Sequence, residues 1–221
     1  MKYHPILFSA PMVIANQENR KSQTRREVVS RNMEMTALLM NMISGVDVER
    51  CKSELLMFCP YGQPGDILWV RETWQHDIKV DIDSSPMKWV PNGKFVYAAD
   101  GTILSKEEMG KLGVWKPSIH MPKIAARLFL QIKSIRVESL QSISAADAIA
   151  EGIEDIKADE LPNYFYRRYI PADNGALGTV NPITSYKTLW QLINGVDSWN
   201  ENPWVWVIEY DKIDKPENWP L

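Results

Sequence analysis

The fold of this chain is decided by the stretch Pro64-Gly65-Asp66-Ile67-Leu68-Trp69-Val70-Arg71-Glu72-Thr73-Trp74. The Pro-Gly pair presets a tight turn, and the residues after it alternate with the period of two that a half-buried strand requires. This pattern predicts a strand from Ile67 to Trp74. One face of that strand carries Leu68, Val70, Glu72 and Trp74. Because Glu72 shares this face with apolar side chains, its carboxylate needs a partner, either an arginine of a basic segment near the N-terminus or a donor on a ligand.

Further strands and helices flank this stretch on both sides. Extended or apolar runs predict strands at Ile6 to Phe8, Thr24 to Val29, Leu55 to Phe58, Ala125 to Val137 and Trp204 to Ile213. Helices are predicted at Met12 to Glu18, Met33 to Ile43, Ser144 to Glu151 and Ile183 to Ile193. Strands dominate and do not alternate regularly with helices. The sequence therefore predicts an α+β, mainly β fold, a small mixed barrel rather than a doubly wound sheet.

The length of 221 residues suffices for one domain with a buried core. We expect a single domain over residues 1–221, with an insertion at about 75–116. Within the insertion, Asn92-Gly93 predicts a hairpin turn between Lys88 to Val90 and Phe95 to Tyr97. A short helix is predicted from Lys106 to Lys111.

Composition excludes several functional classes. The two cysteines and three histidines have no zinc-ligand spacing, so neither a metal nor another cofactor is expected. The N-terminus lacks the apolar core of a signal peptide, and no apolar run approaches the roughly 18 residues of a membrane span. We therefore expect a cytoplasmic protein that makes no membrane contact. The pI near 5.7 argues against a protein that coats nucleic acid, although nine Trp and eight Tyr can serve as stacking surfaces.

Positive charge is concentrated in one basic segment, Arg20-Lys21-Ser22-Gln23-Thr24-Arg25-Arg26-Glu27-Val28-Val29-Ser30-Arg31. This segment holds five cations in a chain whose formal net charge is -3. Lys21 and Thr24 supply an amine and a hydroxyl three residues apart, among enough charge to attract a nucleotide phosphate. A solvated basic loop is the alternative interpretation.

Three segments occur in the order and with the residues of a known family's motifs. They are Asn19 to Arg26, Pro64 to Val70 and Ser144 to Gly152. Together they resemble the ASCH domain of the PUA-like β-barrel superfamily, whose motifs read G-R-K-T-x-T-x-R, G-D-x-L-x-V and A-x-x-E-G. Asn19 stands where glycine is usual, and Ser22 where threonine is usual.

A narrower likeness extends over most of the chain. Pro5 to Met12, Cys59 to Asp66, Trp115 to Pro122 and Asn202 to Val207 resemble segments of ASCH-type proteins encoded by phages and prophages. The resemblance implies a PUA-like β-barrel with peripheral helices and an inserted hairpin region.

The resemblance also implies a chemistry. Small ASCH proteins similar to this one include metal-independent amidohydrolases that remove the acetyl group from N4-acetylcytidine. Their lysine, threonine and glutamate match Lys21, Thr24 and Glu151. A lysine whose pKa is lowered by burial or by neighbouring cations can take the proton of a threonine nucleophile, and a glutamate can donate one. Residues three apart on a strand face opposite ways, so Lys21 and Thr24 converge only if Lys21 belongs to the turn that ends the first helix.

Ligand contacts are expected from a further set of residues, namely Arg20, Arg25, Arg26, Glu72, Trp74 and His120. Each has a structural alternative. For Trp74 the alternative is a core residue rather than a stacking surface. For His120, which lies between prolines, the alternative is a structural loop residue. Glu151 is otherwise a solvated residue at a helix end.

Two main hypotheses follow. The first is an amidohydrolase that acts on an acylated cytosine, in a nucleoside or in RNA. The second is a module that binds a modified base or structured RNA without catalysis. A weaker third is a phage assembly or host-takeover factor that binds a protein partner.

Overall fold

The structure is a computed structural model that describes residues 1–81, 88–101, 115–156, 165–170 and 177–219, with the backbone alone at 77–81 and 88–92. Its strands are β1 (Tyr3–Leu7), β2 (Gln23–Glu27), β3 (Ile67–Arg71), β4 (Trp74–Asp81), β5 (Lys88–Tyr97), β6 (Phe129–Ser139), β7 (Tyr166–Arg167), β8 (Gly178–Thr179) and β9 (Trp204–Ile213). Its α-helices are α1 (Ala10–Gln17), α2 (Met33–Ile43), α3 (Val48–Leu55), α4 (Ala145–Ala150) and α5 (Pro182–Asn194).

Five strands form one mixed sheet in the order β1-β3-β6-β9-β2. The pair β1 and β3 is parallel, and the other neighbours are antiparallel. The three long strands predicted from the sequence are neighbours at the centre of this sheet, so the α+β, strand-rich prediction is confirmed. The described strands leave the sheet open, with β1 and β2 as its edges. One side chain links these edges, because Arg26 Nη2 donates to Leu7 O at 2.6 Å.

Both faces of the sheet are covered by apolar side chains. Alternate residues of β9 divide between the two faces: Trp206 and Ile208 pack in a core that α1, α2 and α3 cover, whereas Val205 and Val207 pack against α5. A third cluster gathers around Trp219, whose ring lies edge-on to Tyr3, Trp69 and Phe129. The basic segment enters this arrangement as the edge strand β2.

The predicted strand from Ile67 to Trp74 is interrupted, and this is the first correction. β3 ends at Arg71, and Trp74 begins β4, which pairs with β5 in a separate two-stranded sheet. Glu72 lies at the break, 1 % exposed, where Arg127 holds its carboxylate with two hydrogen bonds of 2.8 and 2.9 Å. The chain therefore passes from the five-stranded sheet to the two-stranded sheet at the position where the buried Glu72 carboxylate needs a partner.

Two other local predictions were wrong. Asn92-Gly93 is not a hairpin turn: it lies inside β5, where the register shifts between His76 opposite Phe95 and Ile78 opposite Pro91. Gly93 has a φ of +83°, so the positive φ that favours Asn-Gly in turns occurs here in a bulge.

The segment predicted as a strand from Leu55 to Phe58 instead contains the last residue of α3 and the 3-10 turn that follows it. A four-residue apolar run does not distinguish a strand from a buried helix end.

The four helix predictions that fall on described residues are confirmed within one or two residues at each end. Ser144 and Asp147 form a capping box at the start of α4, and Asn181 caps the start of α5. The strand predicted from Ala125 begins only at Phe129, after a 3-10 turn. The predicted helix from Lys106 to Lys111 lies outside the described residues. Across the described ranges, none of the helices combines the length and apolar character needed to cross a membrane.

Candidate functional site

Lys21 is held by the end of α1. Asn19 takes a left-handed φ of 57°, and the N–H groups of Arg20 and Lys21 both donate to Ala15 O, at 2.8 and 3.1 Å. Asparagine tolerates that angle, so it can stand where the motif that this segment resembles has glycine. Lys21 therefore belongs to the turn that ends the first helix, as convergence with Thr24 requires.

Glu151 is brought to Lys21 by the end of α4. Ser22 N donates to Ala150 O at 2.9 Å, and Lys21 and Glu151 form an isolated antiparallel bridge. Gly152 follows with a φ of +83°, and a Cβ placed on it would lie 2.7 Å from the Cβ of Lys21. Only glycine allows α4 to end this close to the basic segment.

The Lys21 and Glu151 side chains form a buried ion pair. Lys21 Nζ lies 2.9 Å from Glu151 Oε2 and donates to Glu151 O at 2.8 Å, and both side chains are at most 3 % exposed. Burial lowers the pKa of Lys21, and the charges of Arg26 and Arg25 act in the same direction, while Glu151 opposes them. Arg20, predicted as a ligand contact, bonds Glu18 and Gly152 O.

Arg25 is the centre of a charge network on the other side of Glu151. Its side chain is fully buried and lies 3.3 Å from the carboxylates of Glu138, Asp147 and Glu151. Burial acts to raise the pKa of Asp147, but hydrogen bonds from Ser144 and the charges of Arg25 and Arg136 outweigh it and hold that pKa below its usual value. The guanidinium of Arg25 is therefore already neutralised by protein carboxylates.

Thr24 is buried but differently oriented. It is 1 % exposed and lies opposite Ile208 in the β2–β9 ladder, whereas Arg25 lies opposite Val207 and so faces the other side of the sheet. Its Oγ1 has no hydrogen-bond partner among the described residues. The structure thus brings Lys21 and Glu151 into direct contact, whereas the Thr24 hydroxyl contacts neither of them by a hydrogen bond.

A pocket of about 400 Å³, counted with the space open to solvent, lies between β2 and α5. Its lining comprises Met12, Arg25, Arg26, Glu27, Glu151, Tyr186, Leu189, Trp190, Ile193 and Asn194. Of the three predicted catalytic residues, Glu151 is the one in this lining. Arg26 is the lining cation that has no carboxylate partner among the described residues, since it bonds Leu7 O and lies over the Phe8 ring.

The aromatic wall of the pocket was missed by sequence reasoning. Tyr186 and Trp190 are 3 % and 5 % exposed and belong to one face of α5. Their spacing of four residues in a predicted helix was the available signal, but such a stripe is typical of any helix that packs on a sheet. Burial raises the pKa of Tyr186 well above its usual value, so its hydroxyl stays protonated beside Glu151.

Glu72, Trp74 and His120 are not part of this pocket lining. The partner of Glu72 is Arg127 rather than an arginine of the basic segment, which corrects that expectation. Trp74 is buried, with His76 and Phe95 edge-on to it and Lys116 Nζ 4.9 Å from the ring centre. His120 is exposed in a 3-10 turn.

In the described part of the chain, no group of three or more His, Cys, Asp or Glu side chains is arranged to hold a metal ion. No protein-family model matches this chain, and no curated protein or solved structure matches it either.

Proposed function

We propose that this chain is a PUA-like barrel protein of ASCH type. We further propose that it binds the base of a nucleoside or of RNA in the pocket beside β2 and removes an acyl group from N4-acylated cytidine without a metal. The observation that carries the proposal is the buried pair of Lys21 and Glu151, with Nζ and Oε2 2.9 Å apart, of which Glu151 belongs to the lining of that pocket. The barrel assignment is supported by the hydrogen bond from Arg26 to Leu7 O, which joins the two edges of the sheet.

The proposed chemistry uses three side chains. Lys21, as the neutral amine, takes the proton of the Thr24 hydroxyl, whose oxygen bonds the acyl carbon. The bond from that carbon to N4 breaks, N4 takes a proton from Glu151, and water then releases the acyl group as the acid. The lowered pKa of Lys21 supports the role of base, and no partner among the described residues holds the proton of the Thr24 hydroxyl.

A specific observation favours a second candidate, a binding module without catalysis. Lys21 and Thr24 are absent from the pocket lining, whereas Arg26, Tyr186 and Trp190 belong to it. A cation with no carboxylate partner beside two aromatic rings suits a base and its phosphate without any bond being broken.

The test is incubation of the protein with N4-acetylcytidine, with cytidine and acetate as the expected products. Lys21→Ala, Thr24→Ala and Glu151→Ala should each lower the rate by about a hundredfold or more, and double variants should be little slower than single ones. Lys133→Ala, an exposed lysine on β6, is the matched control and should keep full activity.

Two outcomes would change the assignment. Full activity of Thr24→Ala would remove the nucleophile and favour a water molecule activated by Glu151. If the wild-type protein hydrolyses no acylated cytosine but binds cytidine or RNA with an affinity that falls as salt rises, the binding module is the correct function.

A further inference from the structure

Strand β2 has one edge that no other described strand covers. Tyr210 N donates to Ser22 O at 3.0 Å, and Val28 N donates to Trp204 O at 2.8 Å, so the even-numbered residues of the segment face β9. In an antiparallel ladder the intervening residues direct their N–H and C=O groups away from the partner strand. Those outward-facing residues are Gln23, Arg25 and Glu27.

The protein covers only the start of this edge. Ala150 and Glu151 lie against Ser22 and Lys21, and none of the described strands other than β9 pairs with β2. The pocket occupies the gap that follows, with both Arg25 and Glu27 in its lining and α5 as the opposite wall. Main-chain N–H and C=O groups at an edge without a partner strand are available for hydrogen bonds to an occupant of the pocket.

We infer that the base is recognised by the main chain of this edge, through Arg25 N–H and C=O and Glu27 N–H, and this inference rests on the proposed function. The charge of the Arg25 side chain is engaged within the protein, because Glu138, Asp147 and Glu151 surround its guanidinium.

A base fits this edge better than an extended peptide does. The pocket is bounded by α5 opposite β2, and Glu151 belongs to its lining, so the accessible edge is too short for an extended peptide to add as a strand. Cytosine presents a ring-nitrogen acceptor next to the amino donor, and one outward-facing strand residue presents a donor next to an acceptor. Tyr186 and Trp190 then lie along the apolar side of the bound ring.

The first test is an NMR titration of the full ¹⁵N-labelled chain with N4-acetylcytidine and with cytidine. At saturation the amide protons of Arg25 and Glu27 should move downfield, whereas those of Thr24 and Arg26, which already bond β9, should move much less. Equal shifts at the four amides, or shifts confined to other parts of the chain, would overturn the inference and leave the proposed function standing. No shift at any amide would overturn both.

The second test compares Glu27→Pro with Glu27→Ala. Both variants lose the carboxylate, but only proline removes the N–H, and it does so at an edge position where that N–H makes no ladder bond. N4-acetylcytidine should bind the proline variant about tenfold more weakly than the alanine variant, the loss expected for one hydrogen bond. Equal affinity of two variants with matching thermal unfolding would show that the Glu27 N–H is not used.

Discussion

At the scale of single residues, the candidate site contains two kinds of buried polar group. Its buried charged side chains have partners of opposite charge, whereas one buried hydroxyl has no hydrogen-bond partner among the described residues. Lys21 and Arg25 both contact Glu151, whereas Thr24 Oγ1 has no partner among the described residues. Leaving a hydroxyl buried and unpaired costs about 1–3 kcal/mol, so stability alone does not account for a threonine at this position.

Replacing that hydroxyl should separate folding from function. Thr24→Val should leave the free energy of unfolding unchanged or raise it by about 1 kcal/mol, because it removes an unpaired polar group and keeps the β-branched shape. The same variant should lose hydrolysis of N4-acetylcytidine. Denaturant unfolding measures the first effect and product formation the second.

Thr188→Val is the matched control, since the Thr188 hydroxyl donates to Ser185 O at 2.7 Å and accepts from Tyr169 N at 3.0 Å. That variant should lose about 1–3 kcal/mol. If Thr24→Val loses as much as Thr188→Val, the Thr24 hydroxyl is hydrogen-bonded in solution.

At the scale of elements, the site depends on where α1 and α4 end. The capping box of Ser144 and Asp147 fixes the start of α4, and Gly152 ends it against Lys21. The same Asp147 belongs to the carboxylate group around Arg25, so one residue both starts the helix and ties it to the neighbouring strands. The end of α4 is therefore as closely specified as its start.

Two glycines allow a test of this packing. Gly152→Ala and Gly45→Ala both place alanine at a positive φ, but a Cβ at Gly45 meets nothing within 4 Å, whereas one at Gly152 meets Lys21 and Ala15. Gly45→Ala should cost about 1 kcal/mol in free energy of unfolding, and Gly152→Ala should cost clearly more and also lower the hydrolysis rate. Equal costs for the two variants would mean that α4 can end differently without strain.

At the scale of the whole molecule, two carboxylates tie distant parts of the chain together. Asp66 accepts hydrogen bonds from Lys2 N at 2.7 Å and Gln63 N at 3.1 Å, which joins the N-terminus to the turn before β3. Burial acts to raise the pKa of Asp66, but the hydrogen bonds from Lys2 N, Gln63 N and His4 outweigh burial, so the pKa is lowered. Asp147, whose pKa is also lowered, joins α4 to β2 and β6.

These shifts predict loss of stability in acid. Each folded-state pKa lies below the usual 3.8, so the stabilisation is fully present above that value and is lost as the pH falls through the folded-state pKa. The free energy of unfolding, measured in urea, should therefore fall between pH 5 and about pH 2. Asp66→Asn and Asp147→Asn should each reduce this pH dependence, and a slope unchanged in both variants would contradict the assignment.

The candidate site was predictable in part. The sequence contained Lys21, Thr24 and Glu151 at the positions of the motifs that it resembles, but the place of Lys21 at the end of the first helix was only a condition for its convergence with Thr24. The charge network of Arg25 and the aromatic wall on α5 were not predictable. They depend on which residues meet across the sheet, and nothing in a local pattern distinguishes a pocket wall from an ordinary packed face.

What the sequence determined by itself is local. The Ser144 to Asp147 capping box, the Asn181 cap and the alternation in Trp204 to Ile213 each act within a few residues, and the structure has these elements where the sequence predicted them. Tertiary structure alone decided the rest. It paired Glu72 with Arg127, placed Asn92-Gly93 in a bulge, and left one edge of β2, beside the pocket, uncovered by any other described strand. Each of these depends on contacts between residues far apart in the chain, where burial of charge and main-chain hydrogen bonding outweigh local preference.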